Sequence, residues 1–335
     1  MLVVNKAPDD RLPIIEPLAF DHLPELLKLS QEQAWTHTER DWKVMLATGQ
    51  TYGHLLVEDR RQLLSCIHVT DYGASLATLG MLIVAKRHRK RGLATSLVNH
   101  VLGKHHQSPM GLVAASQAQS FYPPFGFAST GEHVVKLTRT GGYSMDDETP
   151  TILDKFPLTT TSVSKHDAKR AIIFDRQATH LDRSHLLDEL LSTSDRAFVV
   201  QNESQDGDDK NAPPPILGYG LAKFQPASDN SHLLNVGPVV ATDTLTALAL
   251  CYRLTQHHEG PIRLDIFSSQ QELIDYLKTA LGFHPEGKRQ AVMLRQTMTT
   301  TAAATTSGVN EDPDTKLWLP GNRSVMFCPA SQAWL

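Results

Sequence analysis

The chain has few cysteines. Three in 335 residues, Cys66, Cys251 and Cys328, stand far apart with no CxxC pair, which argues against a disulfide framework or a cysteine zinc site and fits a reducing compartment. Long apolar runs are also missing: the one ending at Val84 falls far short of the roughly 20 residues that span a bilayer. The first thirteen residues have a short apolar start with acids close behind. They lack a basic region, a long apolar core and a small-residue cleavage site, so an unprocessed, cytoplasmic protein is expected. The sixteen histidines, including His105-His106 and His257-His258, show no HExxH or other ligand spacing, and no metal is expected. Neither GxGxxG nor GK[ST] occurs, which removes the Rossmann and Walker readings.

What is present is a mildly acidic, apolar-rich chain long enough for two cores. Hydrophobic residues make up 41% and charged residues 20%, a composition that buries a core and is unlike a disordered chain. The net charge of -4 is unevenly spread: residues 1–140 carry 15 Lys/Arg against 12 Asp/Glu, and the rest 17 against 24. Five of the first fifteen sit in Lys86, Arg87, Arg89, Lys90 and Arg91. Basicity concentrated at one point suits a compact anionic ligand better than a long polyanion, so neither a nucleic acid nor a membrane is expected as a partner.

Periodicity predicts an alternation of strands and helices. Residues 13–19 read as a strand, and Asp21 as the cap of a helix through Leu23, Leu26, Leu27 and Leu29. A second helix is expected to hold Trp35 and Trp42. Strands follow near 54–59, 63–70 and 75–84, and Leu93, Leu97, Val98, Val101 and Leu102 form one helical stripe. A strand at 111–116, a short helical turn at 117–122 and a strand at 134–139 complete the first half. Residues 141–158 have linker composition.

The second half repeats some of this. Gly126-Phe127, Gly131 and Arg139 recur 156 residues later as Gly282-Phe283, Gly287 and Arg295, and Val84-Ala85 recurs as Val240-Ala241. A duplicated fold is expected, with strands at 217–224, 234–241 and 262–267, a helix at 270–281, and 324–329 as a final strand. The expected division is a first domain at 1–140, a linker at 141–158 and a second domain at 159–335. Stretches near 203–215 and 297–310 bury little and look like mobile insertions.

Arg89-Lys90-Arg91-Gly92-Leu93-Ala94 follows a strand and opens a helix. A helix N-terminus presents unpaired N–H groups and partial positive charge, and so takes phosphate where side chains stay out of the way. Gly92 and Ala94 are small, Lys90 and Arg91 add charge, and Thr95 adds a hydroxyl. The plain alternative is a solvated basic turn. From Leu82 to Ala94 the run resembles the acetyl-CoA signature [QR]xxGx[GA] of the GCN5-related N-acetyltransferases (GNAT), with Arg89, Gly92 and Ala94 at its three fixed positions. The resemblance implies backbone N–H groups from Arg89 to Ala94, Leu93 among them, on the CoA pyrophosphate. It also implies pantetheine along the strand end at Leu82, Ile83 and Val84. Lys86 stands where many members carry proline.

Phe121-Tyr122-Pro123-Pro124-Phe125-Gly126-Phe127 resembles the FYxxxGF element of the same family. The resemblance places Tyr122 near the acyl sulfur, and a phenol of ordinary pKa about 10 holds a proton to give to the departing thiolate. Tyr122 is therefore the expected general acid, the plain alternative being a core aromatic. Ser116 or Ser120 could line the same cleft. A general base is not evident: residues 75–84 hold no carboxylate, which leaves His68, Asp71, Glu58 or water. Cys66 has no His/Asn arrangement to make it a nucleophile.

The family resemblance implies a mixed α/β (α+β) fold, two GNAT-like domains each with a mainly antiparallel sheet flanked by helices. Its expected activity is direct acetyl transfer from acetyl-CoA to a primary amine on a small molecule or peptide. The alternative is a non-catalytic acyl-CoA-binding or sensing protein. At offset 156, Arg89, Gly92 and Ala94 fall on Leu245, Leu248 and Leu250, and Tyr122 on Lys278, so the second domain is expected to be degenerate. The acceptor and the oligomeric state stay open, since a tandem pair can meet internally an interface that single-domain relatives meet by dimerising.

Overall fold

The computed structural model describes residues 13–56, 62–140, 158–202, 213–226, 232–296 and 326–328. The expected linker and both expected insertions lie almost wholly outside them, as does Glu58. Contacts divide the chain into two compact units, Met1–Val69 with Met81–Lys104, and Thr70–Gly80 with His105–Leu335.

In the first unit, β1 (Ile14–Leu18) is followed by α1 (Leu23–Gln31), α2 (Glu39–Thr48), β2 (Gln50–Leu55) and β3 (Leu63–Asp71). After these come the end of β4 (Ala77–Val84) and α3 (Leu93–Lys104). β2 runs antiparallel to both β1 and β3, with Tyr52 opposite Pro17 on one side and Ile67 on the other. All of β3 except Asp71 is buried, the signature of a strand covered on both faces. Thr38 starts α2 through a capping box: its hydroxyl accepts the Asp41 N–H at 3.3 Å, and the Asp41 carboxylate accepts the Thr38 N–H at 2.7 Å. α2 buries Trp42, whose indole N–H donates to Ser30 Oγ at 3.2 Å. α3 buries Leu93, Leu97, Val98 and Val101, each worth about 1.5–3 kcal/mol of burial.

Three expectations need correction here. Trp35 lies between α1 and α2 and is 40% exposed, because α1 ends at Gln31 and α2 starts only where Thr38 caps it. Asp21 caps nothing in α1; it sits in a 3-10 turn at Phe20–His22, and His22 precedes the helix without a side-chain cap. The second strand runs from Gln50, earlier than expected, because the polar Gln50 and Thr51 pair with Val69 and His68.

The second unit begins with the start of β4, whose Ala77 pairs in parallel with Met110 of β5 (Met110–Ala114). Then come β6 (Ala128–Arg139), β7 (Leu158–Ser162), α4 (Lys165–Thr179), α5 (Ser184–Thr193), β8 (Arg196–Asn202) and β9 (Ile216–Pro226). They are followed by β10 (His232–Ala241), α6 (Thr244–Thr255), β11 (Ile262–Phe267), α7 (Gln271–Leu281), β12 (His284–Pro285), β13 (Gln290–Arg295) and β14 (Met326–Cys328). From β5 the strand order is β5-β13-β6-β11-β10-β9-β8-β7, with β12 on β6 and β14 on β10. The sequence repeat is thus visible as structure: β6 spans 128–139, and β12 with β13 spans 284–295, the same interval 156 residues on.

The last strands of the two repeats are exchanged. β13 lies between β5 and β6, pairing Met293 with Leu112 and Leu294 with Ala128, while β6 pairs with β11, Leu137 opposite Leu264. Val135 and Leu137 of β6 consequently sit in the same core as Leu250, Leu254, Ile266, Leu277 and Phe283. Glu132 of β6 reinforces the seam, accepting the Ser268 hydroxyl at 2.5 Å and the Ser269 N–H at 2.9 Å, bonds that hold its carboxyl below the usual range against the opposing effect of burial. Elsewhere in this unit, Arg183 and Asp175 form a fully buried pair, and the Tyr219 hydroxyl donates to Asp175 at 2.8 Å. A buried charge is tolerated when paired and hydrogen-bonded in this way.

Candidate active site

In the first unit, the residues between β4 and α3 form an exposed, cationic turn. Lys86, Arg87, Arg89, Lys90, Arg91 and Gly92 are exposed, whereas Ile83 and Leu93 on either side are buried and anchor the ends. The Arg89 side chain folds back, donating from Nε to the Val84 carbonyl at 3.3 Å and from its terminal nitrogen to Gln33. Gly92 has φ +78°, which favours glycine, and a side chain added there would meet nothing within 4 Å. The first helical bond runs from Ser96 N–H to the Gly92 carbonyl at 2.9 Å, so the amides of Leu93, Ala94 and Thr95 precede it and point out of the helix end. His88 records the local field. Burial, then Arg87 and Arg91, depress its pKa.

On the strand side, β4 is bent at Met81, where φ is +51°. A non-glycine residue with positive φ inside a strand is strained. Its carbonyl accepts the Cys66 thiol at 3.4 Å. Cys66 is fully buried, which pushes its thiol pKa far up, and a protonated buried thiol is inert. Cys66 and Cys251 are both free thiols.

In the second unit, Tyr122 sits between two 3-10 turns, Ser116–Phe121 and Pro123–Phe125. Gly126 ends the second with φ +87°. The Tyr122 ring stands edge-on to Phe121 and Phe127, with centroids at 5.2 and 5.9 Å, geometry that aromatic pairs prefer. Burial pushes the phenol pKa up to about 12. Ser116 and Ser120 are exposed.

The described base candidates differ sharply. His68 is fully buried and its Nδ1 lies 2.9 Å from Thr51 Oγ1, so burial drives its pKa to about 3. Asp71 is exposed; it accepts the Gly73 N–H at 2.8 Å and pairs with His105 Nδ1 at 3.2 Å.

Comparison with known proteins supplies the family. Models described as "Acetyltransferase (GNAT) domain" match residues 25–137 and 171–306. The uncharacterised N-acetyltransferase YitH of Bacillus subtilis (strain 168) is 28% identical over 268 residues, 79% of this chain and 86% of that protein. A structure from Pyrococcus horikoshii described as an acetyltransferase superposes with TM-score 0.68 at 13% identity, covering 100% of this chain and 99% of that one. A tandem GNAT protein from the clavulanic acid biosynthesis pathway gives 0.59 at 16% identity over 84% and 97%. The chain is a tandem GNAT acyltransferase. Its sheet of mostly antiparallel strands flanked by helices is the fold of those structures.

The second GNAT domain lacks the turn itself. Eight residues separate β4 from α3, but only Thr242 and Asp243 separate β10 from α6. Register therefore slips after Ala241, and the pairing of Arg89, Gly92 and Ala94 with Leu245, Leu248 and Leu250 at constant offset does not hold. The residues that would cradle phosphate have no counterparts. Asp243 caps α6, accepting the Thr246 N–H at 2.8 Å, and its negative charge occupies the helix end an anion would seek.

Two features of the site escaped the sequence. Arg295, seen there only as a repeat marker, donates from Nε to the Phe125 carbonyl at 3.1 Å in the Tyr122 turn. The strain at Met81 had no signal, since positive φ is ordinarily announced by glycine. Among the described residues no group of His, Cys, Asp and Glu could hold a metal, and no helix is long and apolar enough to cross a membrane.

Proposed function

We propose that the chain transfers an acetyl group from acetyl-CoA directly to a primary amine on a small molecule or peptide, with the acetyl-CoA site on the first domain. The observation that carries this reading is the β4–α3 turn: amides at a helix start that precede the first helical bond, a glycine with open space over it, and exposed cations around it. Backbone and charge from Arg89 to Thr95 take the pyrophosphate, and Leu82, Ile83 and Val84 run along the pantetheine. The domain division proposed is 1–140, a linker at 141–158 and 159–335. Free, buried thiols suit a reducing, cytoplasmic compartment.

The amine lone pair attacks the thioester carbonyl, the tetrahedral intermediate collapses, and the C–S bond breaks to leave CoA thiolate. Tyr122 serves as proton donor to that sulfur. With its pKa pushed up to about 12, the phenol is a weaker acid than an ordinary thiol of about 8.5. Its contribution is thus a hydrogen bond that strengthens as charge develops on sulfur, ahead of protonation of the thiolate. His68 is removed from solvent, and burial that drives its pKa to about 3 makes it a poor proton acceptor, which leaves Asp71, Glu58 or water to take the amine proton.

Calorimetric titration with acetyl-CoA is expected to show one site per chain; no binding at millimolar ligand overturns the proposal. A screen of primary amines for CoA release then separates enzyme from sensor. The sensing alternative is favoured by the buried His68 alone, and it requires acetyl-CoA binding with silence toward every acceptor.

A further inference from the structure

The exchanged strands end in two arginines that do corresponding things. Arg139, last in β6, donates from Nη1 to the carbonyl of Leu281 at 3.3 Å; Arg295, last in β13, donates from Nε to the carbonyl of Phe125 at 3.1 Å. Leu281 and Phe125 stand 156 residues apart, as the arginines do, and each precedes a Gly-Phe pair. Every repeat thus reaches across the exchange to hold the other's segment before its last strand.

The two held segments are unequal. Leu281 ends α7, eleven residues long and internally bonded, and Arg139 also donates to the Thr255 carbonyl at 3.5 Å and lies 5.3 Å over the Phe283 ring. Phe125 ends a three-residue turn that starts with two prolines, which have no N–H to give. Its internal bonds are Phe125 N–H to the Tyr122 carbonyl at 3.0 Å and Gly126 N–H to the Pro123 carbonyl at 2.9 Å. A continuous path therefore runs from the Arg295 guanidinium through the Phe125 peptide to the backbone of Tyr122. The Arg295 side chain also lies against Gly126, 3.5 Å from where a Cβ would stand, and its Nη1 is buried with no hydrogen-bond partner among the described residues. The guanidinium is committed to this place at the expense of a desolvated donor.

We infer that Arg295 is a positioning residue for Tyr122: its bond to the Phe125 carbonyl fixes the proline turn that aims the phenol, so the second domain completes the catalytic apparatus of the first. This rests on the reading of Tyr122 as donor to the leaving sulfur.

The test uses the full chain with 13C-labelled tyrosine, Arg295→Met, and the mirror-image Arg139→Met as internal control. Tyr122→Phe assigns the Tyr122 ring resonance. In Arg295→Met that resonance is expected to move and its titration midpoint to fall toward that of an exposed phenol. Turnover with an amine from the screen should drop about ten- to a hundredfold, with KM for acetyl-CoA within about twofold. Arg139→Met is expected to lower Tm while leaving the Tyr122 resonance and turnover at wild-type values. An unmoved Tyr122 resonance in Arg295→Met, or an equal displacement in Arg139→Met, overturns the inference. Should Arg295→Met not fold, Arg295→Gln, shorter and uncharged, is read in the same way. Wild-type turnover in Tyr122→Phe would instead overturn the donor reading, and with it the catalytic consequence of Arg295, while the resonance still decides whether Arg295 holds the turn.

Discussion

Between Val84 and Leu93 the chain spends eight residues; between Ala241 and Thr244 it spends two. Both stretches connect a strand to an apolar helix in the same fold, and both helices bury comparable stripes, Leu97, Val98 and Val101 in one and Leu248, Leu250 and Leu254 in the other. Packing therefore does not require the longer turn. What the extra residues provide is an exposed helix end with cations and a glycine, where the shorter connection provides an aspartate that caps its own helix. The difference teaches that a turn of this kind is a property of a connection and can be absent while the scaffold around it stays intact.

The strongest way to break this comparison is to shorten the first turn. Replacing residues 85–92 by the Thr-Asp of the second junction is expected to abolish acetyl-CoA binding in calorimetry while far-UV circular dichroism stays near wild type; retained binding would mean the turn is not the site. Next in size, Tyr122→Phe should lower turnover about a hundredfold and leave acetyl-CoA affinity within about twofold, locating chemistry and binding in separate parts of the first domain. Gly92→Val puts a branched side chain at φ +78°, and strain of about 1–3 kcal/mol together with the obstructed approach should weaken acetyl-CoA roughly tenfold or more. The smallest effect belongs to the other junction. Asp243→Ala removes the α6 cap and should cost about 1 kcal/mol of stability by thermal melt, with acetyl-CoA affinity unchanged.

Acid and base sharpen the contrast between two groups of the candidate site whose pKa values burial moves in opposite directions. His68 is depressed to about 3 from an ordinary 6.5, so between those values the unfolded chain binds the proton and the native chain does not. Stability contributed by the neutral imidazole is complete above pH 6.5 and is lost as pH falls toward 3. Tyr122, raised to about 12 from 10, works at the other end: its contribution is complete below pH 10 and is lost as pH rises toward 12. Melting temperatures across pH 4–7 should therefore rise with pH, and Thr51→Val should alter that rise while Tyr122→Phe leaves it in place.

Much of the fold was legible because it rests on local pattern. The stripe from Leu93 to Val101 and the alternation in β10 and β11 are properties of a few residues in sequence, and so is the turn at Gly92. The repeat at 156 residues was legible too, since Gly-Phe and Arg recur where the geometry recurs. The exchange of β6 and β13 was not, because pairing between residues 110–114 and 291–295 leaves no mark on either segment. α4 and α5 went unnoticed for a related reason: Asp175 and Arg183, polar in sequence, are buried against each other and blur the apolar period. The constant-offset alignment erred at Leu245 because it had no means of seeing a shortened connection.

The position of β13 also sets an order of events at the ribosome. β5 is complete at Ala114, yet its neighbour is not synthesised until Gln290–Arg295. At bacterial and eukaryotic elongation rates of about 5–20 residues per second, β5 waits roughly ten to thirty-five seconds for that strand. Throughout that interval an apolar edge, Met110, Leu112 and Ala114, has no β13 to cover it, and such edges invite pairing with other chains. The nascent protein is consequently most vulnerable to aggregation while its second domain is being made, and Tyr122 acquires its Arg295 support only when that domain is nearly finished.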